Sequence, residues 1–255
     1  MNQLELLAAM FAFASLRYLP VLAIPALSPL SWAPGMVRIT LLMALSWLTV
    51  LASPAMPTQA HWQNPLGLLL ACMSELLIGM TFGLSILLPQ AAIGMSARLA
   101  DTQAGLSAAS LFNPNGQHEP ESMFGTILLL AATVLFFTLD LHLILFQALT
   151  ASVSVMPLGA MAIHLDMDAF MGLVGTSFLL GISVVAPVIL GLFVVDMGVA
   201  YATRSMPQAN VYFLALPLKV AIALLLLAMT LAFAPTLIGR LYLDAFTRLP
   251  SVLGS

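Results

Sequence analysis

Six long apolar stretches run along the chain, at residues 4–24, 36–53, 66–95, 122–157, 169–202 and 211–238, separated by polar or proline-rich breaks. A helix that crosses a hydrocarbon layer of ~30 Å needs about 20 apolar residues, and these runs reach or exceed that length. A membrane strand would instead alternate apolar and polar positions over about 10 residues. No such alternation occurs. The pattern predicts an all-α chain of membrane-associated helical hairpins.

Two features complicate a simple series of crossings. As one straight helix, residues 122–157 would be about 54 Å long. Asp140, Leu141 and His142 lie near the middle of that run. Either the chain turns there or the helix projects well beyond a bilayer. An aspartate at mid-depth costs about 2.5–3.5 kcal/mol on insertion scales, which favours a turn, an interface or a protein partner at Asp140. The second feature is proline. Pro20, Pro25, Pro29 and Pro34 follow one another at short intervals, and Pro89, Pro157, Pro187, Pro217 and Pro235 fall inside or against apolar runs. An interior proline removes a backbone hydrogen bond, so kinked or broken helices are expected. Broken backbone must then be covered by protein or line a wet cavity. Proline is also commoner in membrane helices than in soluble ones, and the count alone leaves both readings open.

Composition narrows the class. Of 255 residues, 62% are hydrophobic and 7% charged. A water-soluble domain could not cover its core with so little polar surface, and a disordered chain carries more charge and fewer apolar residues. Seven basic residues and a net charge of −3 provide no nucleic-acid groove. One cysteine, Cys72, makes no internal disulfide and no zinc set. The start of the chain lacks the positive region of a cleaved leader, so the first apolar stretch is expected to be kept.

Residues 101–121 form the longest polar segment. Asn113, Pro114, Asn115 and Gly116 signal a turn. Before them, Gly105, Leu106, Ser107, Ala108, Ala109, Ser110, Leu111 and Phe112 are small, apolar or hydroxylated, without charge. That stretch reads either as a surface loop between hairpins or as a compact segment that fills a pore or cleft. Gly79 and Gly83 make a GxxxG face that lets another helix approach closely. Nucleotide, zinc and hydrolase motifs are all incomplete or missing, so no catalytic, cofactor-binding or metal residue is assigned and no enzyme activity is expected. Glu75, Asp140 and Asp196 are the carboxylates that a proton- or ion-coupled carrier could use. Asp196 and Arg204 share one run, too far apart for direct contact, so Asp196 is expected to pair elsewhere in the chain or on another subunit.

Arg204, Pro207 and Gln208, followed by Tyr212 and Phe213, resemble the signature of the FliR/SctT family, the export-gate subunits of type III secretion systems. Further fragments fall in the family's order. They are Leu16 and Arg17, then Pro34, Val37 and Arg38, then Glu75 through Gly79 with Gly83. Gly105, Leu106 and Ser107 with Asn113 and Pro114 come next, then His142, then Pro157, Leu158 and Gly159, and last Ala186, Pro187 and Val188. The resemblance spans roughly residues 16–230. Asn113 stands where the family has aspartate. Asp140, Leu141 and His142 stand where flagellar members often have asparagine, glycine and histidine. Ala215, Pro217 and Lys219 are similar to the virulence branch, while His142 and residues 157–159 are similar to the flagellar one.

The resemblance implies a single FliR-like domain over 1–255. Residues 1–165 would form a FliP-like part with a plug loop at 105–121, and 166–255 a FliQ-like C-terminal hairpin. It implies assembly with FliP-like and FliQ-like subunits, beside FlhB-like and FlhA-like export components, in the flagellar basal body of the bacterial inner membrane. Unfolded proteins would pass through the resulting channel, with the driving energy supplied by partners. Residues 105–114 would be the plug, with Ala108 and Leu111 falling where bulkier plug residues can stand. Arg204, Pro207, Gln208, Glu75, Gly79 and Gly83 would serve the subunit interface or the structure. An ion-coupled small-molecule carrier, an intramembrane hydrolase and the equivalent injectisome subunit are the alternatives.

Overall fold

The computed structural model describes residues 3–25, 28, 30, 32–52, 64–106, 122–160, 166–205 and 211–253. Those residues form seven helices: α1 (Gln3–Leu22), α2 (Gly35–Ala52), α3 (Pro65–Ala104), α4 (Met123–Thr138), α5 (Leu141–Val155), α6 (Met167–Ser205) and α7 (Val211–Val252). No strand occurs among them. α1, α2, α3, α6 and α7 are each long and apolar enough to cross a membrane, and α4 with α5 could make a sixth, broken span.

The break in the fourth apolar stretch falls where the mid-run aspartate predicts it. Asp140 has φ 56°, which interrupts the helix between Thr138 and Leu141. It is exposed, so its charge keeps contact with water or a partner. Three other boundaries differ from the sequence expectation. α3 continues past residue 95 to Ala104, taking in Arg98 and Asp101, which the hydropathy pattern assigns to a break. α6 reaches Ser205 with Arg204 in its last turn, where a cation complements the helix dipole. α7 continues past 238 to Val252, helped by an i,i+4 pair between Asp244 and Arg248 at 2.9 Å. Pro20, Pro89 and Pro187 sit inside continuous helices, so the interruption lies at a charged residue rather than at these prolines. At ~1.5 Å per residue, α3, α6 and α7 are each about 60 Å long, twice the hydrocarbon thickness.

The chain divides into two compact units, and α3, α6 and α7 each contribute residues to both. One comprises residues 1–88, 140–174 and 242–255; the other comprises 89–139 and 175–241. In the first unit, Leu6, Met10, Phe13 and Ala14 of α1 are buried with Val50, Ala71, Val153 and Leu158. Tyr18 and Thr49 hydrogen-bond at 2.8 Å between α1 and α2, and Phe11 meets Trp47 edge-on with centroids 5.9 Å apart. A smaller cluster joins Leu173, Ala245 and Val252.

The second unit holds an antiparallel pair made by α6 and α7. Lys219 Nζ lies 2.6 Å from Asp196 Oδ1, and a side chain on Gly191 would strike Leu226. Partner positions thus fall along one helix as they rise along the other. Gly181 allows a similarly close approach to Ala92 of α3, whose carbonyl carbon would lie 2.9 Å from an added Cβ. Large apolar side chains remain exposed, among them Leu130, Leu179, Val194 and Tyr201. So many exposed large apolar side chains call for lipid or protein cover.

Candidate functional site

Two polar constellations stand out, one in each unit. The first is a charge pair without solvent contact. Arg17 of α1 and Glu75 of α3 are both 0% exposed, with Arg17 Nε 2.5 Å from Glu75 Oε2 and an Nη2 to Oε1 contact of 3.0 Å. The fork is bidentate, the strongest arrangement an arginine and a carboxylate adopt. Other partners use the remaining valences. Arg17 also donates to Ser152 Oγ of α5 at 3.1 Å and to the Met156 carbonyl at 3.0 Å. Glu75 Oε1 accepts the Gly159 amide at 2.7 Å. Ser74 Oγ donates to the Ala160 carbonyl at 2.6 Å.

The sequence makes this site possible locally in two places. Gly79 lies one turn beyond Glu75, and a Cβ there would overlap the Arg17 carbonyl and lie 2.9 Å from Pro20 Cδ. Only glycine lets α1 come close enough for the guanidinium to reach the carboxylate. Gly159 has φ 78°, a conformation that turns its amide toward Glu75 at little cost for glycine. Gly79→Ala should therefore destabilise the first unit by ~1–3 kcal/mol, as overpacked interiors do. Thermal unfolding in detergent checks this; an unchanged midpoint would refute the close approach. Gly83, the second glycine of the face, is also buried.

The second constellation surrounds Asp101, in the last turn of α3. Its carboxylate accepts the Ser122 hydroxyl at one oxygen and the Phe124 amide at 3.2 Å at the other. Ser122 is the N-cap of α4, its hydroxyl oxygen taking the Gly125 amide at 2.8 Å. The Asp101 carbonyl accepts the Leu106 amide at 3.1 Å, and the Thr102 carbonyl the Gly105 amide at 3.2 Å. With Gly105 at φ 81°, these two bonds make a Schellman cap on α3. One residue thus ties the end of α3 to the start of α4, and both ends of segment 107–121 leave from this collar.

Gly105 and Leu106 of the plug assignment are therefore the closing cap of α3. Ser107, Ala108, Ala109, Ser110, Leu111, Phe112, Asn113 and Pro114 lie outside the described residues, as do Pro207 and Gln208. Arg204 is exposed at the end of α6. Asp196 pairs with Lys219, a partner that hydropathy does not reveal. Among the described residues, no three of His, Cys, Asp and Glu gather closely enough to hold a metal ion.

Sequence reading did not single out Ser152, Ser122 or the capping role of Asp101. Ser122 was findable, since a serine directly before an apolar run is an N-cap signal. Ser152 carried no signal, because its role depends on a partner 135 residues away.

The described residues thus belong to a helical membrane protein whose interior polar groups fasten its own helices. Residues 8–245 match the family described as "Bacterial export proteins, family 1". The chain belongs to that family, the FliR/SctT family of type III export apparatus subunits. It is 31% identical over 198 residues to the "Flagellar biosynthetic protein FliR" of Caulobacter vibrioides, covering 76% of this chain and 78% of that one. Against the protein of the same name from Pectobacterium carotovorum it is 27% identical over 209 residues, 81% and 79% of the two chains. To the "Yop proteins translocation protein T" of Yersinia pestis it is 29% identical over 184 residues, 71% and 70%.

Three of the fragments that carry the resemblance converge in space. Arg17, Glu75 with Gly79, and Gly159 are distant in sequence and meet in the buried cluster of the first unit.

Proposed function

We propose that this chain is a structural and gating subunit of a flagellar type III export channel, built with FliP-like and FliQ-like subunits in the bacterial inner membrane. Unfolded flagellar proteins pass through the channel, and FlhA-like and FlhB-like components work beside it. Segment 105–114 closes the conduit at rest. A passage wide enough for an extended polypeptide would also leak ions, and a compact, uncharged segment raises an electrostatic and dewetting barrier against them. The observation that carries this reading is the Asp101 collar, which brings together the residues that flank 107–121, Leu106 and Ser122. It lets a small-residue segment fold tightly and return to the same place after displacement.

The FliQ-like reading of residues 166–255 draws support from the antiparallel pairing of α6 and α7, and 1–165 is taken as the FliP-like part. The exposed apolar side chains of α6 fit burial against sibling subunits. A carrier that cycles Asp196 through protonation has less support, because Lys219 already neutralises that carboxylate at 2.6 Å.

Co-production tests the assembly. The chain should extract as a stable particle only together with FliP-like and FliQ-like partners. A monodisperse, solute-transporting monomer would contradict the proposal. Arg204→Ala should lower recovery of the FliP-like partner in a pull-down by several-fold, since it removes an exposed cation at the end of α6. Undiminished recovery would remove Arg204 from the interface.

A further inference from the structure

A groove of about 840 Å³ lies in the second unit between α3 and α4, with Phe178 of α6 on its wall. Its lining is mostly apolar between two polar ends. Arg98 stands toward one end with Ser122 and Thr126; Ala91, Gly94, Met95 and Leu129 continue the walls toward Gln90 at the other. Arg98 is exposed, and no described residue pairs with it. Asp101, the nearest carboxylate along α3, is buried, does not line the groove, and is held by Ser122 and Phe124. Among the described residues, none supplies this cation with a counter-ion.

Arg98 is six residues from the end of α3, about 9 Å along the axis, in the part of the helix that continues beyond the apolar run, where a long basic side chain can lay its stem on apolar surface and hold its charge in a polar layer. From Arg98 to Gln90 the groove follows α3 for about 12 Å, enough for the first part of an acyl chain. Gly94 keeps that part open. A Cβ there would meet only Leu129 Cδ1 at 3.7 Å, an ordinary contact, so close packing does not require the glycine.

We propose that this groove binds one anionic phospholipid, with the phosphate on Arg98 and an acyl chain along Gly94, Met95 and Leu129. The inference requires that this groove opens to lipid, and it stands whether or not residues 105–114 close a channel. Charge complementarity selects the occupant: a cation at one polar end of an apolar slot matches an acidic headgroup on a hydrocarbon tail, whereas a helix from another subunit would need its own acid at the level of Arg98.

Photo-cross-linking tests it. Met95, exposed on the groove wall, is replaced by p-benzoylphenylalanine in the full chain. The protein is purified with whatever partners it retains and placed in vesicles of phosphatidylethanolamine and phosphatidylglycerol in equal parts. Irradiation should give an adduct of the chain with phosphatidylglycerol in preference to phosphatidylethanolamine. Arg98→Gln should lower that preference about fivefold, the worth of one basic contact with an acidic lipid. Arg98→Lys should keep most of it, and Gly94→Met should reduce all lipid adducts. Equal adducts with both lipids, no effect of Arg98→Gln, or adducts only with a partner's peptide or with segment 107–121 would each overturn the proposal.

Discussion

Replacing Arg17 by methionine should remove most of the folded chain from the membrane. The substitution leaves Glu75 charged, fully buried and short of its bidentate partner. Breaking a buried pair by removing one member costs ~3–5 kcal/mol, a large share of what holds a domain together. Ser152 Oγ and the Met156 carbonyl would lose their donor as well, so α5 and the turn that follows it would come loose from α1 and α3. Arg17→Lys should be intermediate, because a point charge cannot reproduce the planar fork. The double replacement Arg17→Met with Glu75→Met should recover part of the loss, since an apolar pair leaves no stranded charge. Abundance in membranes and thermal unfolding in detergent measure all three. If Arg17→Met accumulates and melts like the native chain, the pair is not what fastens α1 to α3.

The second large effect is expected at Asp101. Asp101→Ala should leave the subunit assembled while raising ion flux through the resting complex. The change strips the Phe124 amide and the Ser122 hydroxyl of their acceptor. A buried donor left unsatisfied costs ~1–3 kcal/mol, enough to fray the first turn of α4 without unfolding a helix held by Phe124, Leu128 and Ala132 in the core. The segment between Leu106 and Ser122 would then start from a fixed point and end at a loose one. Asp101→Asn keeps an oxygen for the Phe124 amide and should leak less. Ion conductance of the purified complex in planar bilayers, with subunit recovery measured in parallel, checks both variants. A tight Asp101→Ala complex would separate the collar from closure.

Much of the architecture could be read directly from hydropathy, and the reasons are physical. Spans reveal themselves because lipid demands about 20 apolar residues in a row. The helix break at Asp140 was legible because a mid-run charge is costly. The long reach of α3 and α7 was not, because Arg98, Asp101, Arg240, Asp244 and Arg248 look like the end of a span. They continue the helices beyond hydrocarbon thickness, where polar side chains are tolerated and local pairs such as Asp244 with Arg248 favour the helix. The buried cluster shows a different limit. Leu16 with Arg17, Glu75 with Gly79, and residues 157–159 were visible as separate fragments. Their meeting was not, since no periodicity links positions 58 and 84 residues apart. Lys219 was similarly missed as the partner of Asp196, although the two stand at nearly equal distances from Gln208 on opposite helices.

Closure of the conduit is best tested by recording ion conductance across a bilayer that holds the resting assembled complex, with residues 106–112 either present or deleted. The expected result is a silent native complex and a conducting deletion complex of unchanged subunit content. Two equally silent complexes would mean that some other part of the assembly seals the channel.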